Sequence, residues 1–190
     1  MKYIKSFLIY ICLLFPLTGI AQKKQLQTVR DQIKSGKELT KAENTLRGLL
    51  VDSVSKKNNK IWLLLCDALI KQYEQGNEKL YLKQKYDTAA FFSVTRRLYD
   101  TMSRFDSLDA KPDAEGRVRA KYRTKHAEFL NSIRPNLFNG GSYFIHKKDY
   151  NTAFDYYSDY LESANYPLFE GYDYMKNDAL HTILTISITK

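Results

Sequence analysis

Cysteine is scarce in this chain. There are two in 190 residues, and Cys12 lies inside an apolar N-terminal run. That leaves Cys66 alone in the rest of the chain, so no intramolecular disulfide is expected and the fold must stabilise itself by burial. Eight glycines and four prolines are too few for an architecture of short strands and tight turns. The three histidines, His126, His146 and His181, stand at no metal-binding spacing with Cys, Asp or Glu. A phosphate-binding glycine loop, a GxSxG elbow and an HExxH signature are all missing. The expectation is a non-enzymatic protein with no cofactor and no metal site.

Positive charge and tyrosine are abundant. Thirty Lys and Arg against twenty-one Asp and Glu give a formal net charge of +9, and there are fifteen Tyr and ten Phe. Tyr156, Tyr157, Tyr160, Tyr166, Tyr172 and Tyr174 crowd one region. Two readings stand: such rings fill wide gaps between packed helices, or they form an interface or sugar-binding face.

Met1 to Gln22 reads as a targeting segment, with Lys2 and Lys5 ahead of an apolar core from Phe7 to Ile20 and small residues before a cleavage point near Ala21. The apolar run is shorter than the ~20 residues a membrane span needs, and Pro16, Thr18 and Gly19 dilute it. Export with cleavage is expected, leaving residues 22–190 as one domain in the periplasm, at the cell surface or secreted.

The remaining chain has helical periodicity throughout. Leu26, Val29 and Ile33 form a stripe closed by Ser35-Gly36, and Leu39, Ala42, Leu46, Leu49 and Leu50 form the next. Lys57 to Glu74 is apolar on nearly all sides from Ile61 to Ile70, which puts Trp62 and Cys66 in the core. Gly76-Asn77 predicts a break followed by a short helix over Glu78 to Gln84. Tyr86 to Leu108 is the longest predicted helix, and Asp109 to Gly116 the clearest loop. Arg117 to Ile133 predicts a helix with Val118, Tyr122, His126, Phe129 and Ile133 on its apolar face. Arg134, preceding Pro135, is expected in an extended conformation. Tyr174 to Ile186 predicts a last helix, and the apolar tail makes a poor cap.

Arg134 to Pro167 is the best-defined unit. Pro135 suits a first helical position, and Leu137, Phe138, Gly141, Phe144 and Ile145 recur at three- and four-residue spacing. Lys147 and Lys148 suit a helix C-terminus, and Asp149 can cap a second helix with Tyr150, Ala153, Phe154, Tyr157, Tyr160, Leu161 and Ala164 on one side. Gly141 and Ala153 offer small surfaces where two helices approach closely. This stretch resembles a tetratricopeptide repeat, a 34-residue helix pair with small and aromatic residues at fixed slots. The family's small slots fall on Gly141 and Ala153 and its aromatics on Phe144 and Tyr157. Leu137 replaces the early Trp, and the closing proline is displaced to Pro167. Ala42, after Leu39, and Ala89, after Tyr86, echo the Ala153 slot.

The resemblance implies an all-α stack of antiparallel helical hairpins, an α-solenoid of about eight to nine helices that serves as a scaffold for a protein or peptide partner. It places the binding face on the first helix of the unit, at Asn136, Asn139, Tyr143, His146 and Lys147. The alternative is a carbohydrate-binding or nutrient-uptake accessory protein, with exposed aromatic platforms between Tyr166 and Tyr174. The basic run Arg117 to Lys125 reads first as a solvated helix face and second as a surface for an anionic glycan, envelope lipid or acidic protein. Nucleic acid is not an expected partner of an exported chain. Asp106, Asp109, Asp113 and Glu115 lack the alternating oxygen ligands and central glycine of a calcium loop. His126 reads as a core histidine and Cys66 as an inert buried thiol.

Overall fold

The computed structural model describes residues 21–178, and every regular element among them is helical. The expected targeting segment and the tail beyond 178 lie outside the described residues. The first described helix, α1, covers 21–35 and turns its Val29 stripe inward. It stops at Gly36, whose φ of 68° admits glycine at little cost. Helix α2 (Leu39–Leu49) buries Leu39, Ala42 and Leu46. A 3-10 turn (Ser55–Lys57) leads into α3 (Asn59–Tyr81), where Asn58 caps the start by accepting from the Lys60 amide.

Helix α4 (Thr88–Asp109) begins at Asp87, whose carboxylate accepts from the Ala90 amide at 3.1 Å. It runs antiparallel to α3: Tyr73 stacks on Phe91 at one end, and Asn59 donates to Asp109 at the other. Ile61, Leu65, Cys66 and Leu69 of α3 meet Phe91, Leu98, Met102 and Phe105 of α4 in the main core. Helices α5 (Arg123–Ile133), α6 (Pro135–His146) and α7 (Tyr150–Ser163) follow. A 3-10 turn at Pro167–Phe169 and a four-residue helical turn at Tyr174–Asn177 close the described chain.

The all-α expectation holds for the described residues, but the eight to nine regularly stacked helices do not. Six helices between Leu39 and Ser163 build the body. Gly76-Asn77 does not break the chain, and α3 continues through it to Tyr81. A Cβ at Gly76 would lie 2.9 Å from the Tyr86 ring, so this glycine serves close packing. In a solenoid each repeat touches its neighbours alone. Here α4 touches α3, α5, α6, α7 and the Pro167–Phe169 turn, and works as a hub.

Two more local expectations are corrected. Residues 117–122 are not helical, and Val118 is exposed. Asp113 accepts from the Glu115 and Arg117 amides, and Asp109 accepts from the Tyr122 amide, so side-chain acceptors hold this stretch as a loop until Arg123. Arg134 has helical backbone angles, φ −53° and ψ −40°, where the following proline predicts an extended residue. Its buried side-chain contacts, described below, outweigh that preference.

Candidate functional site: a basic groove along α4

Helix α4 has two faces. Val94, Leu98, Met102 and Phe105 point into the core. On the other side Ser93, Arg96, Arg97, Asp100, Arg104, Ser107 and Leu108 recur at helical spacing, with Lys111 just past the C-terminus. Three adjoining depressions of about 510, 190 and 440 Å³ follow this second stripe. The first two share Arg47 and Asp100 as walls, and the last two share Lys56, Trp62 and Arg104. Together they make a groove about 25 Å long, at ~1.5 Å rise per helical residue. α2 and the 50–58 connection form one bank, and Asp159 and Tyr166 close the far end of the other.

The groove's charge is unbalanced. Seven basic side chains line it, from three separate elements: Arg47 on α2, Lys56 and Lys57 on the 3-10 turn, and Arg96, Arg97, Arg104 and Lys111 along or just past α4. Against them stand Asp100 and Asp159 on the walls, Asp155 at 3.9 Å from Arg96, and Glu43 beneath. Glu43 is 3% exposed, and its Oε1 serves two guanidiniums, Arg47 Nε at 2.9 Å and Arg97 Nε at 3.0 Å. Arg97 Nε reaches ion-pair distance but makes no aligned hydrogen bond there. Gln72 donates to Oε2 at 2.8 Å, so both carboxylate oxygens are occupied and one of two positive charges stays uncompensated. Ser93 and Gln72 accept from Arg97 and fix its guanidinium toward the groove.

Arg96 is paired with Asp159 and lies 4.7 Å over the Tyr156 ring. Burial pushes the Asp159 carboxyl above its ordinary range although Arg96 pulls the other way, and burial likewise raises the Tyr156 phenol to about 12. Arg104 bonds Asp100 at 2.6 Å. Lys56, Lys57 and Lys111 have no ion pair among the described residues. The arrangement presents guanidinium and ammonium donors of a kind that suits anionic groups. It contains no base–nucleophile pair, and among the described residues no three His, Cys, Asp or Glu converge as a metal cluster would.

A second polar cluster is buried. Arg134 is 3% exposed, and its guanidinium is clamped between the rings of Tyr160 at 3.8 Å and Tyr174 at 4.0 Å. It donates to the Tyr160 carbonyl at 2.9 Å and to Ser163 Oγ, and pairs with Asp178, which also accepts from the Tyr160 hydroxyl. Tyr174 donates to Asn131 at 2.7 Å. This cluster fastens the 174–178 segment to the α6–α7 hairpin.

The five residues proposed from the sequence all lie on or just beyond α6, away from the groove. Asn136 donates to Tyr73 at 2.8 Å and Tyr143 packs on Phe92, so both are engaged with α3 and α4. Asn139, His146 and Lys147 are exposed, with His146 Nδ1 2.8 Å from the Ser142 carbonyl and Lys147 over the Tyr143 ring. Of the proposed packing residues, Ala42 and Ala153 are fully buried and Ala89 is half-buried in the first turn of α4. A Cβ on Gly141 would meet the Tyr157 ring at 2.6 Å, and one on Gly140 would meet Tyr156 at the same distance. Phe144 stacks on Tyr156. His126 is buried against Phe105 and Tyr122, and desolvation with Lys125 nearby holds it below its ordinary 6.5. Burial pushes the Cys66 thiol far up, so no thiolate forms at physiological pH.

The groove residues escape a reading made segment by segment, because they come from separate elements. One signal was present: Arg96-Arg97, Arg104 and Lys111 stand about seven residues apart, opposite the apolar stripe of the same helix. No helix among the described residues is long and apolar enough to cross a membrane. No family model, curated protein or solved structure matches the chain significantly.

Proposed function

We propose that this protein is an exported, non-enzymatic helical scaffold of the cell envelope that binds an extended acidic protein segment in the groove along α4. The observation that carries the reading is the uncompensated charge there, above all the buried Glu43 shared by Arg47 and Arg97 beside three lysines without ion pairs among the described residues. Complementary charge across an interface speeds encounter and selects partners by sign. The α6–α7 hairpin supports the tetratricopeptide likeness at the level of one unit, since Gly141 receives the Tyr157 ring and Ala153 is fully buried where the family uses small residues. On that likeness the α6 face of Asn139, His146 and Lys147 is the rival binding surface. The carbohydrate reading has less behind it, because Tyr172 and Tyr174 stack on each other and Tyr174 covers Arg134 instead of standing out as a platform.

The test is a fluorescence-anisotropy titration with labelled peptides about eight residues long, which span ~25 Å when extended. A Glu-rich peptide is expected to bind the wild type and to lose at least tenfold in affinity with Lys56→Glu/Lys111→Glu, while Lys147→Glu has no effect. Equal loss with Lys147→Glu, or equal binding of a Lys-rich peptide, would reject the groove.

A further inference from the structure

The third depression differs from the rest of the groove. Trp62 and Leu108 supply apolar surface in it, and Lys56, Lys57, Arg104 and Lys111 stand around them. Trp62 is fixed by its Nε1, which donates to the Lys56 carbonyl at 2.9 Å, and only 8% of the residue remains exposed. Toward Arg47 and Arg97 the groove is guanidinium-lined and polar. Water over an apolar floor is displaced favourably by an apolar group. A neutral apolar partner would still desolvate the surrounding ammonium groups without compensation, which favours a partner carrying negative charge beside its apolar group.

We infer that this depression anchors one apolar side chain, of leucine to phenylalanine size, within an acidic peptide segment whose carboxylates meet the lysines on the rim and the arginines further along. The inference rests on the groove reading above and adds the partner's sequence character: an Asp/Glu-rich stretch interrupted by a large hydrophobic residue. The anchor gives the groove direction, because the apolar residue sits at the α4 C-terminal end and the acidic run extends toward Ser93.

Trp62 is the chain's one tryptophan and lines this depression and the small one next to it, so its emission reports on this end of the groove. The intact protein is titrated with three peptides about eight residues long: a Glu/Ser peptide with one Leu, the same peptide with Ser for Leu, and the Leu peptide with Gln for every Glu. The Leu-containing acidic peptide is expected to bind about tenfold more tightly than its Ser counterpart and to shift Trp62 emission to shorter wavelength. The Ser peptide binds without the shift, and the Gln peptide binds weakly. Ser107→Phe, whose ring would fill the depression that Ser107 lines, is expected to bring the affinities of the Leu and Ser peptides to within about twofold of each other. Equal affinity for the Leu and Ser peptides overturns the anchor but not the groove. Absence of binding by both acidic peptides overturns the groove reading and the anchor with it. Equal binding of the Gln peptide, or an emission shift produced by phosphatidylglycerol vesicles and not by the peptides, assigns the depression to a different occupant and also overturns the anchor.

Discussion

Glu43 shows at the residue scale how the groove is held together. One buried carboxylate neutralises half of the charge that leans on it and receives a further hydrogen bond from Gln72. Glu43→Ala would leave two guanidiniums facing each other without a counter-charge. Loss of one partner from a fully buried pair costs 3–5 kcal/mol; both arginines here are about one-third exposed, so a loss of about 2 kcal/mol is expected in urea unfolding. Gly141→Ala is predicted to cost about 1–3 kcal/mol because its Cβ would sit 2.6 Å from the Tyr157 ring. Gly48→Ala, with open space around it, is the control and should be neutral or slightly stabilising. His126 supplies a pH dependence. Its folded pKa lies below 6.5, so the unfolded chain takes up the proton first as pH falls and stability drops as acidification passes through that value. Asp106 and Asp109 pull in the opposite direction and soften the effect. Unfolding free energies measured between about pH 7.5 and 5.5 should fall more steeply for the wild type than for His126→Gln.

The element scale explains what could be read in advance. Periodicity located α1, α2, α4, α6 and α7 to within a few residues, and Asp149 caps α7 as its position ahead of Tyr150 predicts, accepting from Thr152 at 3.1 Å. The misreadings came where a distant contact outvoted a local rule. Gly76-Asn77 looks like a break until Tyr86 is placed against it. Arg117 to Tyr122 looks helical until Asp109 and Asp113 take its amides. Arg134 was legible as a junction between helices but not as a buried cation, because its ring partners lie 26 and 40 residues further along the chain. Its role is structural. Arg134→Met keeps the stem length and removes the charge, leaving Asp178 and the Tyr160 carbonyl without this partner. A loss of about 3 kcal/mol is expected, together with faster amide exchange in 174–178 than in α3.

At the scale of the whole molecule, the hub position of α4 ties fold to site. One face of this helix supplies the core, and its packing against α3, α5, α6 and α7 leaves the opposite stripe as the floor of the groove. A rigid, charge-lined floor loses little conformational entropy on binding, which favours an extended partner over one that must remodel the site. Because much of the attraction comes from exposed lysines, affinity for acidic peptides should fall by an order of magnitude or more between about 0.05 and 0.5 M salt. The fold class was legible from composition and period. The groove was not, since its basic residues converge only when α2, the 50–58 connection and α4 pack together.

The measurement that addresses the central claim most directly is lysine acetylation footprinting of the intact protein with and without a bound acidic peptide, read by mass spectrometry. Lys56, Lys57 and Lys111 are all exposed in the free structure, as are Lys147 and Lys148 at the tip of the α6–α7 hairpin. The groove account predicts protection at Lys56, Lys57 and Lys111 with unchanged labelling at Lys147 and Lys148. Protection confined to Lys147 and Lys148 would place the partner on the α6 face and contradict it.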